Sequence, residues 1–144
     1  IMLPHQQTLA KILTYSGTLP LVICTLVSHF YPTLLPAGFF AICYGAVIIS
    51  FLSGVHWASY LFFAEKCPRN LLLTSNATAL IAWLSLLIYP SMITYLLQAL
   101  CFLYLLTLDL KLKNCGILPQ WFYSLRRSAT IIVVLAISLL MVGL

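Results

Sequence analysis

Five apolar runs of roughly twenty residues each, separated by turns of only a few residues, decide what this chain can become. Crossing about 30 Å of hydrocarbon at about 1.5 Å per residue takes roughly 20 apolar residues. A backbone in lipid must satisfy its own hydrogen bonds, so each run reads as a helix. The spans are expected at about Leu9 to Phe30, Pro36 to Phe63, Leu71 to Tyr89, Ser91 to Leu112 and Pro119 to Leu144. Punctuation supports these cuts. Tyr31-Pro32 and Leu35-Pro36 bracket one turn, Cys67-Pro68-Arg69-Asn70 another, Pro90 a third, and Asn114-Cys115-Gly116 before Pro119 the last. Pro20 inside the first span is expected to kink it near Gly17. Because the first span is long, carries that proline and lacks a small-x-small exit site, it is read as retained, not as a cleavable leader.

Composition closes the soluble alternative. Of 144 residues, 63% are hydrophobic and 6% charged, against about 25% charged in an ordinary globular domain. A chain this short cannot hide that ratio in water, so lipid is its solvent. The expectation is an all-α, polytopic membrane protein: one domain over residues 1–144, built as an antiparallel bundle of five transmembrane helices with short connections.

The net charge of +5 raises nucleic acid as a partner. Its cations, however, stand in ones and twos between apolar runs instead of clustering with aromatics, which argues against it. Their distribution gives orientation. Lys11, Lys66, Arg69, Lys111, Lys113, Arg126 and Arg127 all fall on one side of a five-span topology, and the opposite connections carry none. Positive charge is retained on the inner face, so the amino terminus is expected inside and Leu144 outside. The five cysteines form no CxxC pair, and three lie within apolar runs, so neither a disulfide framework nor a metal site is expected.

Close packing in lipid relies on small residues. Ala46, Ser50, Gly54 and Ala58 recur every fourth residue in span two and are expected to form the central seam. Ser53, His56 and Tyr60 form a second, polar edge, with His56 roughly 10 Å deep. Asn76 of span three descends to nearly the same depth and is expected to meet His56. Such a cluster has two readings: a hydrogen-bonded lock between helices, or a ligand contact or proton relay. His29 lies at the opposite end of its span, which argues against a bis-histidine haem, and His5 is read as part of a solvated tail. At the inner surface Asp109 faces Arg126 and Arg127 across a short loop, with Trp121, Phe122 and Tyr123 beside them. Either an exposed ion pair with an aromatic belt, or a lipid headgroup site, fits that group. No GxSxG, HExxH or phosphate-cradling glycine loop occurs, and Glu65 and Asp109 are the only acidic residues, so no enzymatic activity is expected.

Three segments together resemble the transmembrane protein 69 family, also called domain of unknown function 3429. They are Leu13-Thr14-Tyr15-Ser16-Gly17-Thr18-Leu19-Pro20; Phe51-Leu52-Ser53-Gly54-Val55-His56-Trp57; and Asp109 followed by Gly116, Pro119, Trp121, Phe122, Leu125, Arg126 and Thr130. The likeness covers most of the chain, and the His-Trp segment, its most specific part, adds Trp57 to the polar cluster. Ser53 stands where the family usually has Gly, Phe122 where it has Tyr, and Ser128 where Pro is frequent. The resemblance implies a bacterial inner membrane or a mitochondrial inner membrane and no assigned reaction. The functional expectation is a non-enzymatic accessory, stabilising or assembly component of a larger membrane complex, without cofactor. Its partners would be the lipid bilayer and other inner-membrane proteins or further copies of itself. The alternative is a small-solute or proton carrier using the His/Asn/Tyr cluster.

Overall fold

The computed structural model describes residues 3–34, 36–67, 70–89 and 91–142. The turns expected at Leu35, Pro68-Arg69 and Pro90, and the terminal Leu144, lie outside the described residues. Within them the chain forms α1 (Pro4–Phe30), α2 (Ala37–Phe63), a 3₁₀ turn (Ala64–Lys66), α3 (Leu71–Leu87), α4 (Met92–Asn114) and α5 (Gln120–Val142). Local chemistry sets the ends. The side chains of Asn70 and Ser91 accept from the amides of Leu72 and Ile93, capping α3 and α4. Gly116, at φ 83°, ends α4. There the amide of Ile117 donates to Leu112 O and that of Gly116 to Lys113 O, the paired closure that a left-handed residue allows. Pro4 occupies the first turn of α1, where a missing N–H costs nothing. The helix therefore starts five residues before the expected Leu9, and His5 belongs to its exposed first turn, not to a tail. The backbone of α1 stays helical through Pro20, and the Tyr44 hydroxyl of α2 donates to Gly17 O at 2.6 Å, next to the carbonyl that Pro20 leaves unpaired.

Among the described residues, four helices are long and apolar enough to cross a membrane. The fifth, α3, has 17 residues because it ends at Leu87, two residues before the expected end, where the chain turns at Ile88, and at about 1.5 Å per residue it falls short of a full hydrocarbon core. In the bundle α1 packs on α2 and α5, α3 on α2 and α4, and α4 on α5, with α2 and α4 also touching. Large apolar side chains such as Leu19, Val47, Phe51, Leu80, Leu100 and Leu135 cover its outside.

At one end Leu71, Leu108 and Leu112 pack with Tyr60, Cys67, Ile117 and Leu118. This brings the α2–α3 and α4–α5 connections together. Ala10 and Leu13 of α1 share a cavity wall with Phe122 at that same end. Lys11, Lys66, Lys111, Lys113, Arg126 and Arg127 therefore gather toward one end, called inner below; Arg69 is outside the described residues. At the other end Thr25 Oγ1 donates to Ala136 O at 3.4 Å, and His29 Nε2 lies 3.0 Å from Leu139 O, so α1 and α5 run side by side in the same direction.

The seam differs from expectation. Ser50 and Gly54 are exposed, and nothing lies within 4 Å of where a Gly54 β-carbon would be. They share the lipid-facing stripe of Val47, Phe51 and Leu61. Of the expected seam Ala46 does pack, and with it Ala37, Ala41 and Gly45, leading to Ile49, Ser53 and His56. A four-residue spacing drifts by about 40° per step on a helix of 3.6 residues per turn. A stripe starting at Ala46 thus rotates into lipid, whereas one starting at Ala37 sweeps across the wide arc that α2 presents to three neighbours.

Candidate functional site

Deep in the inner half, three helices each contribute one ionisable side chain to a single buried cluster. His56 of α2, Asp109 of α4 and Arg126 of α5 all lie one to two turns in from the inner ends of their helices, and all are buried. His56 Nε2 donates to Asp109 Oδ1 at 2.7 Å. Arg126 donates through Nε at 3.1 Å to Oδ2, and its Nη2 lies 3.1 Å from the same oxygen. An ionised carboxylate can only accept, so the hydrogen of this bond sits on Nε2, leaving Nδ1 as the ring's other polar atom. That Nδ1 has no partner among the described residues. Asp109 and Arg126 bring one negative and one positive charge together, the condition under which ionic groups tolerate lipid depth.

The cluster joins halves of two sites expected to be separate. His56 does not meet Asn76, which is exposed. Ser53 is buried but returns its hydroxyl to Ile49 O of its own helix at 2.8 Å. Tyr60 packs half-buried against the Leu71, Leu108 and Leu112 group, and Trp57 faces outward, 41% exposed. The pair of Asp109 and Arg126 is not exposed as expected but sequestered, because α4 packs its Asp109 face against both α2 and α5. Arg127 is exposed, and Trp121 stacks edge-on against Phe122 with ring centroids 5.8 Å apart. Lys113 lies 4.9 Å from the centre of the Tyr123 ring. Among the described residues, no three His, Cys, Asp or Glu side chains are grouped so as to hold a metal ion.

The sequence matches, over residues 6–142, the family described as protein of unknown function (DUF3429). The chain belongs to that family. Comparison with curated proteins and with solved structures gives no match. The architecture of this DUF3429 protein is thus a helical bundle with membrane-spanning character, and its most polar point is a shared carboxylate.

Beside that carboxylate lies a cavity of about 380 Å³ between α1 and the bundle. Asp109, Arg126 and Thr130 line its polar side; Leu52, Phe102 and Val133 are among its apolar walls. Thr130 enters the sequence reading only as the closing residue of the third family segment. A second polar knot went unread altogether: in the outer half Gln98 Nε2 donates to Ile42 O at 2.9 Å and to Ser85 Oγ at 3.3 Å, and Thr94 Oγ1 donates to Ser85 O at 3.0 Å. The available signal was a single amide side chain inside an otherwise apolar run, Leu96-Leu97-Gln98-Ala99-Leu100.

Proposed function

We propose that this DUF3429 protein is a non-enzymatic accessory component of a larger inner-membrane complex, bacterial or mitochondrial, with its amino terminus and its cations on the cytoplasmic or matrix side. The gathering of the cations toward one end supports the orientation. The likeness to the transmembrane protein 69 family supports the choice of membrane. A non-enzymatic role is supported by the fate of the two carboxylates: Asp109 is occupied by His56 and Arg126, and Glu65 stands exposed at the inner end.

One observation carries the accessory reading. The helix α1 buries only Thr18, Leu21 and Thr25 of its 27 residues, whereas α2, α4 and α5 bury nine each. Leu9, Ile12, Leu19, Ile23 and Leu26 stand exposed along it. In lipid there is little hydrophobic drive to hold such a helix, so packing contacts are what fix it; a partner's apolar span would supply those missing here. The test is a photo-crosslinking amino acid at Leu19 or Ile23, compared with Leu80 on α3, in native membranes. Protein adducts confined to α1 support the reading; adducts to lipid alone at all three positions end it.

A second reading, a proton or small-solute carrier, draws on the His56–Asp109–Arg126 cluster, since buried ionisable groups in membrane spans commonly form relays. It predicts that His56→Ala abolishes flux in liposomes while the protein stays folded. Unchanged flux removes it.

A further inference from the structure

We propose that the inner-half cavity binds a neutral amphipath with a planar, carbonyl-bearing head, a quinone-type ring, entered from the surrounding lipid. Its volume of about 380 Å³ falls within the roughly 300–1,000 Å³ of small-molecule sites. Leu13 and Phe51, both largely exposed, stand at its lipid side, and Leu21 and Phe102 are buried in its floor.

The hydroxyl of Thr130 points to a ligand. Threonines in this bundle habitually return their hydroxyls to a carbonyl one turn back: Thr14 to Ala10 O, Thr25 to Leu21 O and Thr78 to Thr74 O. Thr130 does not. Its Oγ1 is buried and without a partner among the described residues, and Thr130 is among the residues that line the cavity. An orphaned hydroxyl costs free energy unless something in the cavity bonds it. Arg126, on the same wall, has five N–H donors, of which the Asp109 contacts occupy those on Nε and Nη2.

Charge selects the head. The pair of Asp109 and Arg126 is balanced, so an anionic head would meet the Asp109 carboxylate and a cationic one the Arg126 guanidinium, each without compensation. A neutral acceptor oxygen can take the Thr130 O–H and a spare arginine N–H at no such cost. Shape narrows the choice further. Phe51, Phe102 and Phe122 provide aromatic walls, which suit a flat ring by offset or edge contact better than they suit a tetrahedral glycerol ester.

The experiment titrates the full chain in nanodiscs with decyl-ubiquinone, monoolein and oleate. Decyl-ubiquinone is expected to bind one equivalent per chain, at least tenfold tighter than the other two. Thr130→Val, which keeps the shape and deletes the hydroxyl, is expected to weaken it roughly three- to tenfold, the worth of one hydrogen bond. Thr14→Phe, filling the cavity from α1, is expected to abolish it, and serves if Thr130→Val fails to fold. Equal or tighter binding of monoolein or oleate overturns the proposal. So does a quinone titration that neither substitution changes, or one that shows no binding at all.

Discussion

In the outer half of the bundle Gln98 reaches from α4 to the Ile42 carbonyl and the Ser85 hydroxyl; in the inner half, about three turns further along the same helix, Asp109 gathers His56 and Arg126. Both sites must bury polar atoms where water is absent. The outer one does so with neutral groups and backbone, leaving Gln98 Oε1 without a partner among the described residues, and it is tightly filled: that same oxygen occupies the space that a β-carbon on Gly45 would need. The inner one uses full charges from three helices and borders a cavity. A neutral knot loses one modest bond when cut, whereas a cut ion pair strands a charge in a low-dielectric interior. The outer half therefore reads as closure, and the inner half as the place where the molecule can respond to something bound.

The largest expected effect tests that asymmetry. Asp109→Asn leaves Arg126 buried without a counter-charge and is expected to cost about 3–5 kcal/mol. Replacing the whole cluster with His56→Leu, Asp109→Leu and Arg126→Met together should recover most of it, because an apolar core of similar volume carries no desolvation penalty. Gln98→Leu should cost only about 1 kcal/mol. Unfolding by SDS titration in mixed micelles, followed by circular dichroism, reads all three. Equal losses for Asp109→Asn and Gln98→Leu would erase the distinction between the halves.

How much of this was readable beforehand follows the same divide. The helices emerged from apolar run length, since lipid leaves a backbone no other solution. All five were found, with α1 displaced at its start and α3 at its end, where turn chemistry at Pro4 and Ile88 decided the boundary. His56, Asp109 and Arg126 were each singled out, because an ionisable residue inside or beside a greasy run is conspicuous. The pairing of Asp109 with Arg126 was expected; that His56 joins it was not. Which faces of α2, α4 and α5 turn inward depends on side-chain packing between helices, and every face of these helices is apolar enough to mislead: Ser50 and Gly54 look like a seam yet face lipid. The Thr130 hydroxyl and the cavity were illegible for the same reason, since a void exists only once the helices are placed.

A smaller effect sharpens the packing side of the comparison. Gly45→Ala pushes a methyl group into the Gln98 carboxamide and is expected to cost about 1–3 kcal/mol, the usual range for overpacking. Gly54→Ala meets open space and should stabilise the helix by about 0.5–1 kcal/mol. In a double-mutant cycle Gln98→Ala should relieve most of the Gly45→Ala loss, giving strong non-additivity. Additive losses would mean that the outer half is looser than the Gln98 contacts indicate.

The smallest effect concerns the inner end itself. Cys67, just beyond the 3₁₀ turn, is half-buried, with its Sγ 4.0 Å from Ser59 O. Burial, with a further contribution from neighbouring Cys115, pushes its thiol above the ordinary thiol range. The thiolate is the reactive form, so a raised pKa means less thiolate at neutral pH. Labelling by a membrane-impermeant maleimide should then be slower than that of a free thiol and should accelerate only as the pH climbs past the usual thiol midpoint. Performed on a variant retaining Cys115 but lacking Cys24, Cys43 and Cys101, with Cys115→Ser as the partner measurement, the substitution should shift the Cys67 profile modestly toward lower pH by removing the like-charge neighbour. If the cations mark the cytoplasmic or matrix face, both thiols react in inside-out vesicles and stay silent in right-side-out ones. Reaction from the opposite side would invert the orientation while leaving the buried cluster where it is, and would move the mouth of the cavity to the outer leaflet.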